Sequence, residues 1–131
     1  MQRFLMEISI ISLDGSLEFE VFFAQNIRLP NDFSVGLMFE KYLLFRCNGF
    51  HGTTIAGFHR YGHHAQVHSH TLTLDDIMNG REDNPSKIDD LTGEYIDFQS
   101  AQLFFLRACG INNYQDYFDF SKLDQLSFDD L

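Results

Sequence analysis

The sequence predicts a small α+β domain, an antiparallel sheet built on an N-terminal β-hairpin with two or three helices packed on one face. Three observations point there. Residues 3–24 alternate apolar and polar side chains about Asp14-Gly15. Residues 101–109 are apolar nearly all round, as a buried helix is. The chain has 131 residues, 44% of them apolar and 15 of them Phe, which supplies one aromatic core. Two cores would starve each other, so residues 1–131 read as a single domain whose acidic tail frays from about 127.

The hairpin is the most strongly specified element. Asp14-Gly15 reads as a two-residue type I′ turn, because Gly and Asp tolerate positive φ. That register sets Ile10 opposite Phe19, Ile8 opposite Val21 and Met6 opposite Phe23, all on one face. Glu7, Ser9, Glu18 and Glu20 then share the other face.

Beyond it, Pro30-Asn31-Asp32 reads as a loop leading into a helix over about 33–46. Val35, Met38, Phe39 and Tyr42 recur there at helical spacing, although Tyr42–Cys47 also suits a strand. Residues 53–61 and 65–74 read as two more strands. Residues 75–79 read as one helical turn stopped by Gly80. Residues 81–90 have loop composition, and 93–98 reads as a short strand. Ser100 is then expected to cap the 101–109 helix, with Gly110 at its C′ position and a short amphipathic helix after it.

Charge narrows the functional classes. Net charge is −10, and it is lopsided: residues 1–74 hold six acids and five bases, residues 75–131 thirteen acids and four bases. Nucleic acids and anionic membranes reward Lys and Arg, so neither is an expected direct partner. A basic protein is. No stretch is apolar for the roughly 18 residues a membrane span needs. The first residues lack a signal peptide's long apolar region. Cys47 and Cys109 show no Cys-x-x-Cys spacing and read as reduced, buried and inert, so the expected location is the cytoplasm.

All six histidines fall between residues 51 and 70. His68-x-His70 is the pair that matters, since residues two apart on a strand point to one face and can meet one metal ion. With Asp75, or Asp76 beside it, from the following turn they would form a two-His, one-carboxylate set suited to zinc or iron. Gly62, His68, His70, Asp75 and Gly80 loosely resemble the first cupin motif, which has Gly, five residues, His-x-His, then a Glu and a later Gly. Here Asp replaces the Glu, the closing spacing is short, and no His follows residue 70 to supply the second cupin motif. Gly62-His63-His64 is similar to the opening of the Gly-His-His branch of the HNH nucleases, but the later His and the basic surface are missing, which excludes that reading. The bland alternative is that the histidines are half-exposed sheet residues. Neither a Gly-x-Ser-x-Gly elbow nor a phosphate-binding Gly loop is present.

The sequence therefore predicts a binding protein rather than an enzyme. It would be a small acidic inhibitor that covers a basic protein such as a toxin or nuclease, as immunity proteins of bacterial toxins do. The expected contact residues are Glu82, Asp83, Asp89, Asp90, Glu94 and Asp97, with Tyr114 and Tyr117 as anchors. The alternative is a metal-binding domain or metalloenzyme centred on His68, His70 and Asp75.

Overall fold

The computed structural model describes residues 3–49, 54–55, 58–59 and 67–116. Within them a six-stranded antiparallel sheet runs, in spatial order, through β1 (Arg3–Ile11), β2 (Glu18–Asn26), β3 (Phe33–Phe39), β4 (Tyr42–Asn48), β7 (His68–Thr71) and β8 (Lys87–Asp90). A two-stranded pair, β5 (Thr54–Ile55) with β6 (Phe58–His59), lies between β4 and β7 in the chain. The described residues also form two helices, α1 (Leu74–Met78) and α2 (Phe98–Ala108), with a 3₁₀ turn at Tyr114–Asp116.

The hairpin forms in the register its alternation demands, with Ile10 opposite Phe19, Ile8 opposite Val21 and Met6 opposite Phe23. Its turn is longer than predicted. The strands close with Ser12 N–H on the Leu17 carbonyl at 2.9 Å, leaving four residues in the loop, and only Gly15 takes a positive φ, of 76°. A four-residue loop has the same centre as a two-residue one, so the pairing survives the change of turn. Asp14 works by its side chain instead. Its Oδ1 accepts from Ser16 Oγ, Ser16 N–H and Ser12 Oγ, and these bonds hold its pKa down at about 2.

The predicted helix over 33–46 is instead the β3–β4 hairpin, turned at Glu40-Lys41 with Glu40 at φ 53°. Helical spacing in Val35, Met38 and Phe39 coexists with the alternation of Phe33, Val35 and Leu37, and sheet pairing decides between them. Gly36 shows why. The Phe22 ring of β2 lies across it, and a Cβ there would stand 2.3 Å from that ring.

α2 packs across β3 and β4. Phe105 is fully buried, stacked on Phe45 at 5.8 Å between centroids and edge-on to Phe23 at 6.5 Å. Val21, Val35, Cys47, Phe33, Tyr95, Phe98 and Ala101 complete this core. The helix begins one turn earlier than predicted. Asp97 is its N-cap, accepting from Ser100 N–H at 2.8 Å, and Ser100 is the returning member of a capping box. At the other end Gly110 (φ 68°) and the bond from Ile111 N–H to the Leu106 carbonyl form a Schellman motif, as Gly110 predicts. Residues 93–98 form no strand; Thr92 and Tyr95 make a single bridge on the way into α2. Residues 81–90 are not all loop, for β8 pairs with β7 from Lys87 onward. The predicted amphipathic helix near the C-terminus and the tail from 127 lie largely outside the described residues.

The register makes a clean test. Ile8 is half-buried above Val21 and Leu106, so Ile8→Asp should cost about 2–3 kcal/mol in urea unfolding. Ser9→Lys, exposed opposite Glu20, should stay within about 0.5 kcal/mol. Equal costs would contradict the facing.

Candidate partner-binding surface

The acidic half of the chain is shaped by one buried carboxylate. Thr73 N-caps α1, and Asp76 returns the capping box by accepting from the Thr73 N–H at 3.1 Å. Asp76 is fully inaccessible. It also accepts from Arg81 Nε at 3.2 Å and from the Ser86 N–H at 3.3 Å, so it ties both ends of the 81–86 loop to α1. Burial alone would raise its pKa, but the hydrogen bonds from Thr73 and Ser86 hold it well below the usual carboxylate range. The loop so fixed delivers Lys87–Asp90 to the edge of the sheet as β8.

That edge presents the predicted acids unevenly. Asp83, Asp89, Asp90 and Glu94 are exposed, and Glu82 is half-buried. Asp90 Oδ1 accepts from Thr92 Oγ1 at 2.6 Å and Thr92 N–H at 2.9 Å, which lowers its pKa. Asp97 is half-buried and engaged as the α2 cap. Tyr114 is half-buried against the core, with Arg107 Nε donating to its hydroxyl at 3.2 Å. Tyr117 lies outside the described residues. The apolar side chains standing exposed beside these acids are Ile88 and Ile96, the latter 77% accessible.

A second acidic group comes from the half of the sequence that is nearly neutral. Glu7, Glu18 and Glu20 share the face of the sheet opposite α2, by the alternation of the first hairpin. Glu18, Glu20 and Glu40 from the β3–β4 turn line one depression with Ser9, Met38 and Phe39. The pKa of Glu20 is raised by a hydrogen bond with Glu7 and by that neighbour's like charge. Two described bases of this half are otherwise engaged or partly withdrawn from water. Lys41 lies over the Tyr42 ring at 5.3 Å, and the half-buried Arg46 has its pKa lowered by desolvation.

The histidine pair forms as its spacing predicts. His68 and His70 share the face opposite α2, edge to face with centroids 5.0 Å apart. His68 is completely buried rather than half-exposed, and His70 is half-buried. A polar ladder runs to His68 across β3, β4 and β7. Ser34 Oγ donates to Asn48 Oδ1 at 2.6 Å, and Asn48 Nδ2 lies 3.3 Å from His68 Nε2. From the core side, the Tyr95 hydroxyl donates to the Asn48 carbonyl at 2.8 Å, with the His68 carbonyl at 3.2 Å. Asp75 is on α1, its carboxylate 2.7 Å from Arg81 Nη2. Among the described residues no group of three His, Cys, Asp or Glu is arranged to hold a metal ion. His51, His59, His63 and His64 carry no described side chain.

Both thiols are free, and burial pushes each up, Cys109 to about 12 and Cys47 further, which suits inert core residues. No helix among the described residues is long and apolar enough to cross a membrane. No family model matches the chain, and no curated protein or solved structure matches it either.

Proposed function

We propose that this chain is a small acidic binding protein of the cytoplasm that neutralises a basic protein, in the manner of an immunity protein covering a bacterial toxin or nuclease. One observation carries the reading: among the described residues, most exposed acids form no ion pair. The ion pairs formed between described residues are both made by Arg81, with Asp75 and Asp76. Among the described residues, exposed Asp83, Asp89, Glu94, Glu7, Glu18, Glu20 and Glu40 form no ion pair. Holding like charges together on a folded surface costs stability, and a basic partner turns that cost into attraction and steering. Ile88 and Ile96 supply apolar contact within the β8 group.

The experiment is capture from the source organism with two baits, the wild type and a variant carrying Asp83→Lys, Asp89→Lys, Asp90→Lys and Glu94→Lys together. The wild type should retain a basic protein that salt releases, and the variant should not. Retention of no basic protein, or equal retention by both baits, contradicts the reading.

A second reading rests on the 5.0 Å approach of His68 and His70, which leaves a zinc- or iron-binding role open to this pair. It requires that protein purified without a His tag carry stoichiometric metal and melt at a lower temperature after chelation. Identical melting with and without chelator contradicts it.

A further inference from the structure

The two edges of the sheet are built differently. β8 is four residues long and carries Lys87, Asp89 and Asp90, the charged and shortened form that discourages pairing. β1 is nine residues long, with no Pro, Gly, Lys or register shift, and among the described residues no strand pairs with its outer side. Apolar side chains stand exposed on both of its faces. Leu5 and Ile11 are 53% and 66% exposed on one, Phe4 and Met6 40% and 37% on the other. Ser12 N–H bonds across to Leu17, so by alternation the amides and carbonyls of residues 3, 5, 7, 9 and 11 point away from β2.

We propose that β1 is a self-association edge, where a second copy of this chain adds antiparallel about a twofold axis at Leu5 and the two sheets become one. The register follows from charge. An axis at Leu5 sets Arg3 against Glu7 of the second copy, twice by symmetry, and Phe4 against Met6 on the helix-bearing face. It brings a cation to a carboxylate whose hydrogen bond and like charge raise the pKa of Glu20. An axis at Glu7 would instead oppose Glu7 to Glu7 beside both copies of Glu20. An axis at Met6 would set Glu7 against Leu5. Odd residues meet odd residues in the Leu5 register, so the outward amides and carbonyls of the two strands satisfy each other.

Sedimentation of the full chain over rising concentration tests this. The wild type should reach the mass of two protomers. Arg3→Glu and Glu7→Arg should each shift it to one protomer, and the double variant Arg3→Glu/Glu7→Arg should restore two, which a fold defect would not do. In a Cys109→Ser background, Leu5→Cys should oxidise to a covalent dimer. Opposed Cα atoms there would stand about 5.5 Å apart, within disulfide reach. Ser9→Cys should not. One-protomer mass throughout, a dimer indifferent to the charge exchange, or cross-linking through Ser9→Cys in place of Leu5→Cys would each overturn the proposal. So would association of β1 with a different protein while the chain itself stays monomeric.

Discussion

Replacing Phe105 by alanine removes about 3–5 kcal/mol of stability, against a margin of about 5–15 kcal/mol for a domain of ordinary stability. The ring is fully buried and joins three elements of the fold at once: α2 from its own backbone, β4 through the stack on Phe45 and β2 through the edge contact with Phe23. Neighbours anchored on two hydrogen-bonded strands cannot collapse into the space, so the cavity penalty adds to the lost transfer energy. Phe105→Leu keeps most of the volume and should cost far less, of order 1.5 kcal/mol. Urea unfolding separates the two, with the midpoint moving and the slope unchanged. A Phe105→Ala variant as stable as Phe105→Leu would mean that α2 does not close this core.

The second large effect is at Asp76. Its carboxylate is inaccessible and is held by Thr73 N–H, Ser86 N–H and Arg81 Nε, so Asp76→Ala strands three donors and frees the 81–86 loop. The melting temperature should fall more than for any exposed acid of β8, and the amides of β8 should lose hydrogen-exchange protection first. The pH dependence carries a sign. The folded pKa lies below the ordinary aspartate value of 3.8, so the stabilisation is present above that value and is lost as pH falls through the folded pKa. Wild type should therefore lose stability steeply below about pH 4, and Asp76→Asn should show a flatter acid limb. Parallel acid limbs would contradict the hydrogen-bond account.

The fold was legible where contacts are local and periodic. Ile8, Ile10, Val21 and Phe23 specify the first hairpin even though the turn was misjudged, because loops of two and four residues share a centre. Residues 33–46 carry two periodicities at once, and pairing with β2, whose Phe22 ring lies over Gly36, selects the strand. β8 has a single apolar residue, Ile88, and owes its strand state to β7 and to the reach of Asp76, neither visible in Lys87–Asp90. At α2, Asp97 and Ser100 both carry cap chemistry, and the chain uses the earlier one.

The candidate surface divides the same way. Counting charge along the sequence finds Asp83, Asp89, Asp90 and Glu94. It passes over Glu7, Glu18, Glu20 and Glu40, which the bases of that half cancel in the sum, although no described base forms an ion pair with them. The hairpin alternation already placed Glu7, Glu18 and Glu20 on one face, so the signal was there. Nothing in His68-x-His70 foretells that His68 is buried on an Asn48–Ser34 ladder, since that depends on what covers the sheet.

Two separated acidic groups make the proposed function testable in one measurement, the rate of association with the captured basic protein as ionic strength rises. Steering by exposed acids predicts a fast rate at low salt that falls as screening shortens to about 10 Å near 0.1 M. Reversing Asp83, Asp89, Asp90 and Glu94 together should slow association more than it speeds dissociation. Replacing Ile96 by Ala should instead speed dissociation, if it is the apolar contact within the β8 group. An association rate indifferent to salt, and unchanged by reversal of either the β8 acids or Glu7, Glu18, Glu20 and Glu40, would contradict the claim that this acidic surface exists to meet a basic partner.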